Sequence, residues 1–234
     1  MIKIVNHLFK ASDSCNNFIR ILFVDFRKAF DLIDHNVLLQ KFLQYEIPQH
    51  VIVWYLDFIS NRRQFVKIGD SISNIMTTNA GTPQGTITGP DDFKLLINDL
   101  NFDLEYIKYV DDTTAVSVAT DPNNQSLQHA ADSLCQWVHS SGMSLNEGKT
   151  KEMIVYFGTK HDPDDIARIS VNGKLIERVK DFKLFGVYIS SDLSWDTHVE
   201  YILKKVSKRM YCIFCLMRIG ADVSEIVSVA YIVL

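Results

Sequence analysis

Apolar positions along this chain follow two periods, and the switches between them mark out its elements. Ile21-Leu22-Phe23-Val24 runs uncharged from Arg20 to Asp25. A short apolar run of this kind predicts a central strand buried on both faces. Glu105-Tyr106-Ile107-Lys108 and Thr113-Thr114-Ala115-Val116-Ser117-Val118 are rich in β-branched and aromatic residues, and predict two strands of a hairpin. Residues 64–68 and 72–78 predict a second hairpin around Gly69-Asp70. Residues 169–176 predict a third, with an Asn172-Gly173 turn. Residues 153–157 and 182–189 are expected as single strands. Helical spacing is found over about 36–45, over a segment opened by Pro48 and reaching about Ser60, and over 93–100. It returns over 123–138, where Leu127, Ala130, Ala131, Leu134 and Trp137 or Val138 share one face. A long amphipathic helix is expected over 196–218, with Ser194 or Asp196 near its start. Residues 81–90 form a Gly/Pro/Thr loop. Residues 158–165, polar and holding Pro163, are the predicted linker. There is no internal repeat and no low-complexity tract.

Composition narrows the class. The chain has 234 residues, 47 % of them hydrophobic, enough for a substantial core and against global disorder. No apolar run approaches the length of a membrane span. Lys3, Asn6, His7 and Lys10 interrupt the apolar N-terminal stretch, which argues against a signal peptide. The chain starts about 20 residues before its first strand and stops within an apolar stretch, and is read as part of a longer protein. The net charge of −4 is not the mark of a nucleic-acid binder. Yet basic residues cluster, as Arg62, Arg63 and Lys67 and again as Lys204, Lys205, Lys208 and Arg209. Of the four cysteines, Cys212 and Cys215 have zinc-like spacing but no second ligand pair nearby, and are expected as buried thiols of a helix. Nothing suggests a disulfide framework, so a reducing, intracellular setting fits.

The candidate chemistry sits at the predicted hairpin tip, Tyr109-Val110-Asp111-Asp112. Adjacent carboxylates repel, and a divalent cation removes the repulsion. Asp25 falls at the end of the central strand. Neighbouring strands would bring Asp25, Asp111 and Asp112 to one sheet edge, a set that suits two Mg²⁺ ions about 3.5–4 Å apart for in-line nucleotidyl transfer. Taken singly, an Asp-Asp pair is an ordinary polar turn, and Asp25 could cap a helix. The loop Gly81-Thr82-Pro83-Gln84-Gly85 permits close backbone approach to a ligand, and Gln84 offers a donor and an acceptor.

The order of these segments resembles the palm of reverse transcriptases, and most of all those of non-LTR (LINE-type) retrotransposons. The resemblance rests on Phe23-Val24-Asp25-Phe26-Arg27-Lys28-Ala29-Phe30-Asp31, the Gly-Thr-Pro-Gln-Gly loop, Ile97-Asn98-Asp99-Leu100 and Tyr-Val-Asp-Asp. Further along it rests on Leu145–Lys151, Leu184-Phe185-Gly186-Val187 and Leu193-Ser194-Trp195-Asp196-Thr197-His198-Val199. It implies an α/β right-hand polymerase palm, with an antiparallel sheet, helices on one face and a thumb helix after it. The implied layout is palm over 1–157, linker and primer grip over 158–190, and the start of the thumb over 191–234.

The implied activity is RNA-templated DNA synthesis on an RNA template and a DNA primer, with dNTPs and two Mg²⁺ ions (Mn²⁺ able to substitute). Asp25 and Asp111 would be the main metal ligands, with Asp112 supporting and the Phe26 carbonyl adding a ligand. Phe30 would exclude a 2′-hydroxyl. Gln84, Gly85 and Tyr109 would line the substrate pocket. Lys149 would protonate or neutralise pyrophosphate. Phe185 and Gly186 would form the primer grip, and Lys204, Lys205, Lys208 and Arg209 would contact backbone phosphates. His35 is expected to be structural. Trp54 and Trp195 are expected as core or hinge packing. Asp91-Asp92 replaces a common Leu-Leu and is expected at a helix N-terminus. The basic finger strands of the family find no match upstream of Asp25. Two alternatives follow, an inert retroelement remnant and an RNA-synthesising polymerase.

Overall fold

The computed structural model describes residues 4–8, 18–157 and 165–233. The predicted linker lies almost wholly outside the described residues, as do Lys3, Lys10 and Cys15. The chain divides into a larger unit, Asn6–Arg178, and a smaller one formed mainly by Val179–Leu234.

The larger unit is built on a five-stranded sheet. Its central strand β1, Phe18–Val24, is buried along its whole length, as its uncharged apolar run predicts. The other strands are β6 (Glu105–Tyr109), β7 (Asp112–Ala119), β8 (Lys151–Tyr156) and β11 (Glu177–Arg178), in the order β11-β8-β1-β7-β6. β1 runs antiparallel to both β7 and β8, and only β11 is parallel to its neighbour. Four helices accompany the sheet: α1 (His35–Leu43), α2 (Gln49–Ile59), α3 (Thr88–Ile97) and α4 (Ser126–Ser140). Leu22 and Val24 of β1 and Ala115 of β7 share one core cluster with Leu38, Ile59, Phe93, Leu96, Leu127 and Leu134 from these helices. That cluster supplies much of the hydrophobic driving force for packing helices on the sheet.

Local chemistry accounts for most element ends. The Asp34 side chain accepts from Asn36 N–H and caps α1. α4 begins at Ser126 rather than Asn123, because Asp121 and Asn124 accept from the N–H groups of Asn123 and Ser126 and hold the polar run as two turns. α3 begins at Thr88, so Gly89 and Pro90 belong to its first turn rather than to the loop; proline is tolerated there. Lys108 of β6 donates to the carbonyls of Ile97, Asn98 and Leu100, satisfying the end of α3. The hairpin around Gly69-Asp70 exists in two short pieces, β2 (Arg62–Gln64) with β5 (Met76–Thr78) and β3 (Lys67–Ile68) with β4 (Ser71–Ile72). The Asn172-Gly173 turn joins β9 (Ser170–Val171) to β10 (Lys174–Leu175), both residues at positive φ.

The smaller unit corrects three expectations. The strand expected over 182–189 is a hairpin, β12 (Asp181–Leu184) with β13 (Val187–Ser190). Phe185 and Gly186 turn it with φ of 49° and 86°; Phe is not a turn former, so the break is hidden in the pattern. The long helix α5 spans Asp196–Arg218 as expected, but neither Ser194 nor Asp196 caps it: Trp195 holds the cap position without a side-chain bond. Cys212 and Cys215 are exposed, not buried. Ile213 is the one buried residue of α5. Trp54 and Trp195 are likewise mostly exposed rather than core residues. A last helix, α6 (Val223–Val233), follows. Among the described residues no helix is long and apolar enough to cross a membrane.

Candidate active site

Strand register decides where the carboxylates go. Val24 pairs with Thr113, so in an antiparallel ladder Asp25 comes next to Asp112. Tyr109 pairs with Asp112 across β6 and β7, which leaves Val110 and Asp111 as a two-residue turn. Val110 has φ 56°, a costly conformation for a β-branched residue. Its side chain packs against the main core cluster, which holds the turn in place.

On the other flank of β1, residues 144–150 are stitched to the chain leaving the strand. Arg27 N–H donates to the Ser144 carbonyl (2.8 Å) and Asn146 N–H to the Asp25 carbonyl (2.9 Å). Asp25 N–H donates to the Thr150 hydroxyl (3.3 Å). Asp25, Asp111, Phe26, Phe30, Gln84 and Lys149 therefore line one open cleft of about 360 Å³. Arg27, Lys28, Asp31 and Asn146 also line it. The family resemblance implies no role for these four. All four stand within the motifs that carry the resemblance, and only the folded contacts distinguish them from their neighbours.

The remaining expected residues fall around this cleft or apart from it. Phe30 is half-buried, with its ring 5.4 Å from that of Phe93. Phe26 is buried between Phe93 and Trp137. Gln84 Nε2 donates to Asp31 Oδ1 (2.9 Å). Gly85 is exposed at φ 81°, and Tyr109 is exposed at the hairpin tip; neither lines the cleft. His35 is buried, its Nε2 2.8 Å from the Gly81 carbonyl oxygen, a structural contact as expected. Asp99 accepts from Lys41 and from Trp137 Nε1, tying the end of α3 to α1 and α4. In the smaller unit, Phe185 and Gly186 form the β12–β13 turn. There too Lys204, Lys205 and Lys208 are exposed on α5 and Arg209 is half-exposed.

The three carboxylates repel one another. Partial burial, and then the like charges of Asp111 and Asp25, raise the pKa of Asp112 above its ordinary value. Among the described residues no three Asp, Glu, His or Cys side chains are arranged to cage a metal ion, so the expected trio is not a preformed cage. The donor set still fits magnesium. It is all oxygen, and Mg²⁺ is commonly held by one or two carboxylates together with substrate phosphates.

The family model described as reverse transcriptase (RNA-dependent DNA polymerase) matches residues 9–211. An RNA-directed DNA polymerase from mobile element jockey of Drosophila melanogaster is 26 % identical over 77 % of this chain and 20 % of its own length. A probable RNA-directed DNA polymerase from transposon BS of the same species is 22 % identical over 89 % of this chain and 24 % of its own length. The chain thus spans about a fifth to a quarter of these curated relatives. Two solved structures share the fold. Apo telomerase from Candida tropicalis, truncated from its C-terminal domain, has TM-score 0.54 at 14 % identity over 83 % of this chain and 38 % of that one. Telomerase from the same organism in complex with a fragment of telomeric RNA has TM-score 0.55 at 12 % identity over 84 % and 33 %. With its mixed α/β architecture and a family match over most of its length, the chain belongs to the reverse transcriptase (RNA-dependent DNA polymerase) family, with relatives in non-LTR retrotransposons.

Proposed function

We propose that this chain carries the catalytic centre of an RNA-directed DNA polymerase that adds deoxynucleotides to a primer 3′-hydroxyl on an RNA template. The observation that carries the proposal is the convergence of Asp25, Asp111, Lys149, Gln84 and Phe30 on one cleft from four separate stretches of sequence. Asp25 and Asp111, with Asp112 behind them, would hold Mg²⁺. Bound there, the metal supplies charge neutralisation and Lewis acidity for in-line transfer. The primer 3′-hydroxyl gives up its proton to solvent, its oxygen bonds to the α-phosphorus, and the bond from that phosphorus to pyrophosphate breaks. Lys149 makes no ion pair among the described residues and is available to give a proton to the leaving pyrophosphate or to neutralise it. The Phe26 carbonyl is the further candidate ligand.

Phe30 packs on Phe93 and lines the cleft, where its bulk would reject a 2′-hydroxyl. Phe30→Ala should therefore improve use of ribonucleotides relative to deoxynucleotides; an unchanged preference would count against this role. Gln84 belongs to the template–nucleotide pocket in this reading, and Gly85 and Tyr109, which do not line the free cleft, would meet the template or nucleotide only once they are bound. Phe185 and Gly186 grip the primer, and Lys204, Lys205, Lys208 and Arg209 meet backbone phosphates.

Primer extension on an RNA template with Mg²⁺ and dNTPs tests the whole reading. The chain should extend the primer, and Asp111→Asn should lower the rate by at least about a hundredfold, the scale of losing a principal electrostatic contributor. Activity that survives Asp111→Asn would remove the carboxylates from the mechanism. A chain that neither extends primers nor binds nucleotides would favour an inert remnant.

A further inference from the structure

Asp31 contributes to the cleft in a way the polymerase reading leaves unused. Gln84 Nε2 donates to Asp31 Oδ1 at 2.9 Å, and both residues line the cleft. Beneath this contact the two backbones are locked. Gly81 N–H donates to the Ile33 carbonyl (2.8 Å), and Thr82 N–H to the Phe30 carbonyl (2.9 Å). Asp34 forms a bridge with Ala80, and His35 holds the Gly81 carbonyl. Gly81 sits at φ 76°, and a Cβ there would lie 2.7 Å from the Asp31 carbonyl oxygen. The loop carrying Gln84 therefore cannot slide along residues 30–34.

A glutamine amide has two orientations that exchange its donor and acceptor ends. An ionised carboxylate only accepts, so Asp31 selects the orientation with Nε2 toward itself. We propose that Asp31 is a positioning residue that fixes the amide of Gln84, so that the cleft offers Oε1 to a hydrogen-bond donor on the incoming nucleotide. This rests on the polymerase reading for the identity of the ligand. Without Asp31 the amide turns freely, and a nucleotide meets the wrong end for part of the time. Asp31 is exposed, so truncating it opens no cavity in the core.

The test uses the full 234-residue chain in five forms: wild type, Asp31→Ala, Asp31→Asn, Gln84→Ala and the Asp31→Ala/Gln84→Ala double variant. The side-chain amide resonances of Gln84 are followed by NMR, and Mg²⁺·dTTP is titrated into each. Asp31→Ala should shift the Gln84 amide pair and weaken nucleotide binding about tenfold, the scale of one hydrogen bond to a charged group. Asp31→Asn, whose carbonyl still accepts, should recover binding to within about threefold of wild type. The double variant should bind no more weakly than the weaker single one, because the two residues act as one unit. In primer extension the change should appear in KM, with kcat kept. Equal nucleotide binding by wild type and Asp31→Ala, or single effects that multiply in the double variant, overturns the positioning role and leaves the polymerase reading standing. A Gln84 amide that shifts in Asp31→Ala, together with a wild-type chain that binds no nucleotide, overturns the polymerase reading, and the ligand half of the proposal with it.

Discussion

Helix position and burial act on Asp92 in opposite directions. Its sequence position, early in a helix, favours an acid there. Asp91 fits that account, exposed in the first turn of α3 and paired with Lys94. Asp92 points the other way: it is buried and accepts a hydrogen bond from the Tyr55 hydroxyl of α2. Burial, opposed by that hydrogen bond and aided by Asp91, pushes its carboxyl from 3.8 up to about 6. Between those values the unfolded chain has released a proton that the folded chain keeps. Stability therefore falls as pH rises from 3.8 to about 6, and this contribution is level above it. Asp92→Asn keeps an acceptor for Tyr55 and removes the charge. It should be more stable than wild type at pH 7.5 by about 1–3 kcal/mol, with the gain shrinking toward pH 4. Denaturant unfolding at several pH values checks this, and a difference that does not vary with pH would refute it.

At the scale of elements, the site depends on two close approaches of backbone. The first is the Tyr109–Asp112 hairpin, whose Val110 accepts a strained φ because its side chain is anchored in the core. The second is the packing of Gly81 on Phe30 and Asp31. Gly81→Ala puts a methyl group within 2.8 Å of three backbone atoms at a positive φ. Backbone cannot yield as a side-chain tip can, so the variant should lose about 2 kcal/mol or more. It should also displace the Gln84 loop, lowering extension activity beyond the loss of stability. A thermal melt with a matched activity assay would show both, and a wild-type melt would mean the approach is looser than described.

At the scale of the molecule, the edge of the sheet away from the hairpin tip is held by a buried charge network. Glu152 of β8 is inaccessible to solvent and receives Arg20 of β1 (2.6 and 2.9 Å) and Arg178 of β11 (3.1 and 3.2 Å). Arg20 and Arg178 also donate to the carbonyls of Ala167 and Ile166. The network thus joins three strands to the backbone at Ile166 and Ala167. Removing the central acid leaves the buried Arg20 guanidinium without the carboxylate it pairs with. Glu152→Ala should cost about 3–5 kcal/mol, a large share of a domain's stability. Unfolding of this variant at neutral pH measures it. A loss below about 1 kcal/mol would mean that water reaches the arginines.

The sequence by itself determined the elements whose cause is local. An apolar run marks β1, a 3.6-residue spacing marks α4 and α5, and Asn172-Gly173 marks a turn, because each depends on neighbours in the chain. It also determined the family, since Asp25, the Gln84 loop, Tyr109–Asp112 and Lys149 stand in one order. Only the tertiary structure decided what distance in sequence conceals. The turn at Phe185-Gly186 is invisible in an apolar stretch, because burial pattern alone does not separate one strand from two. Cys212, Cys215 and Trp54 are exposed because amphipathic spacing gives a face but not what covers it. Asp31 and Asp92 took their meaning from partners 53 and 37 residues away. Side-chain pairing over such separations is fixed by packing, and no local pattern encodes it.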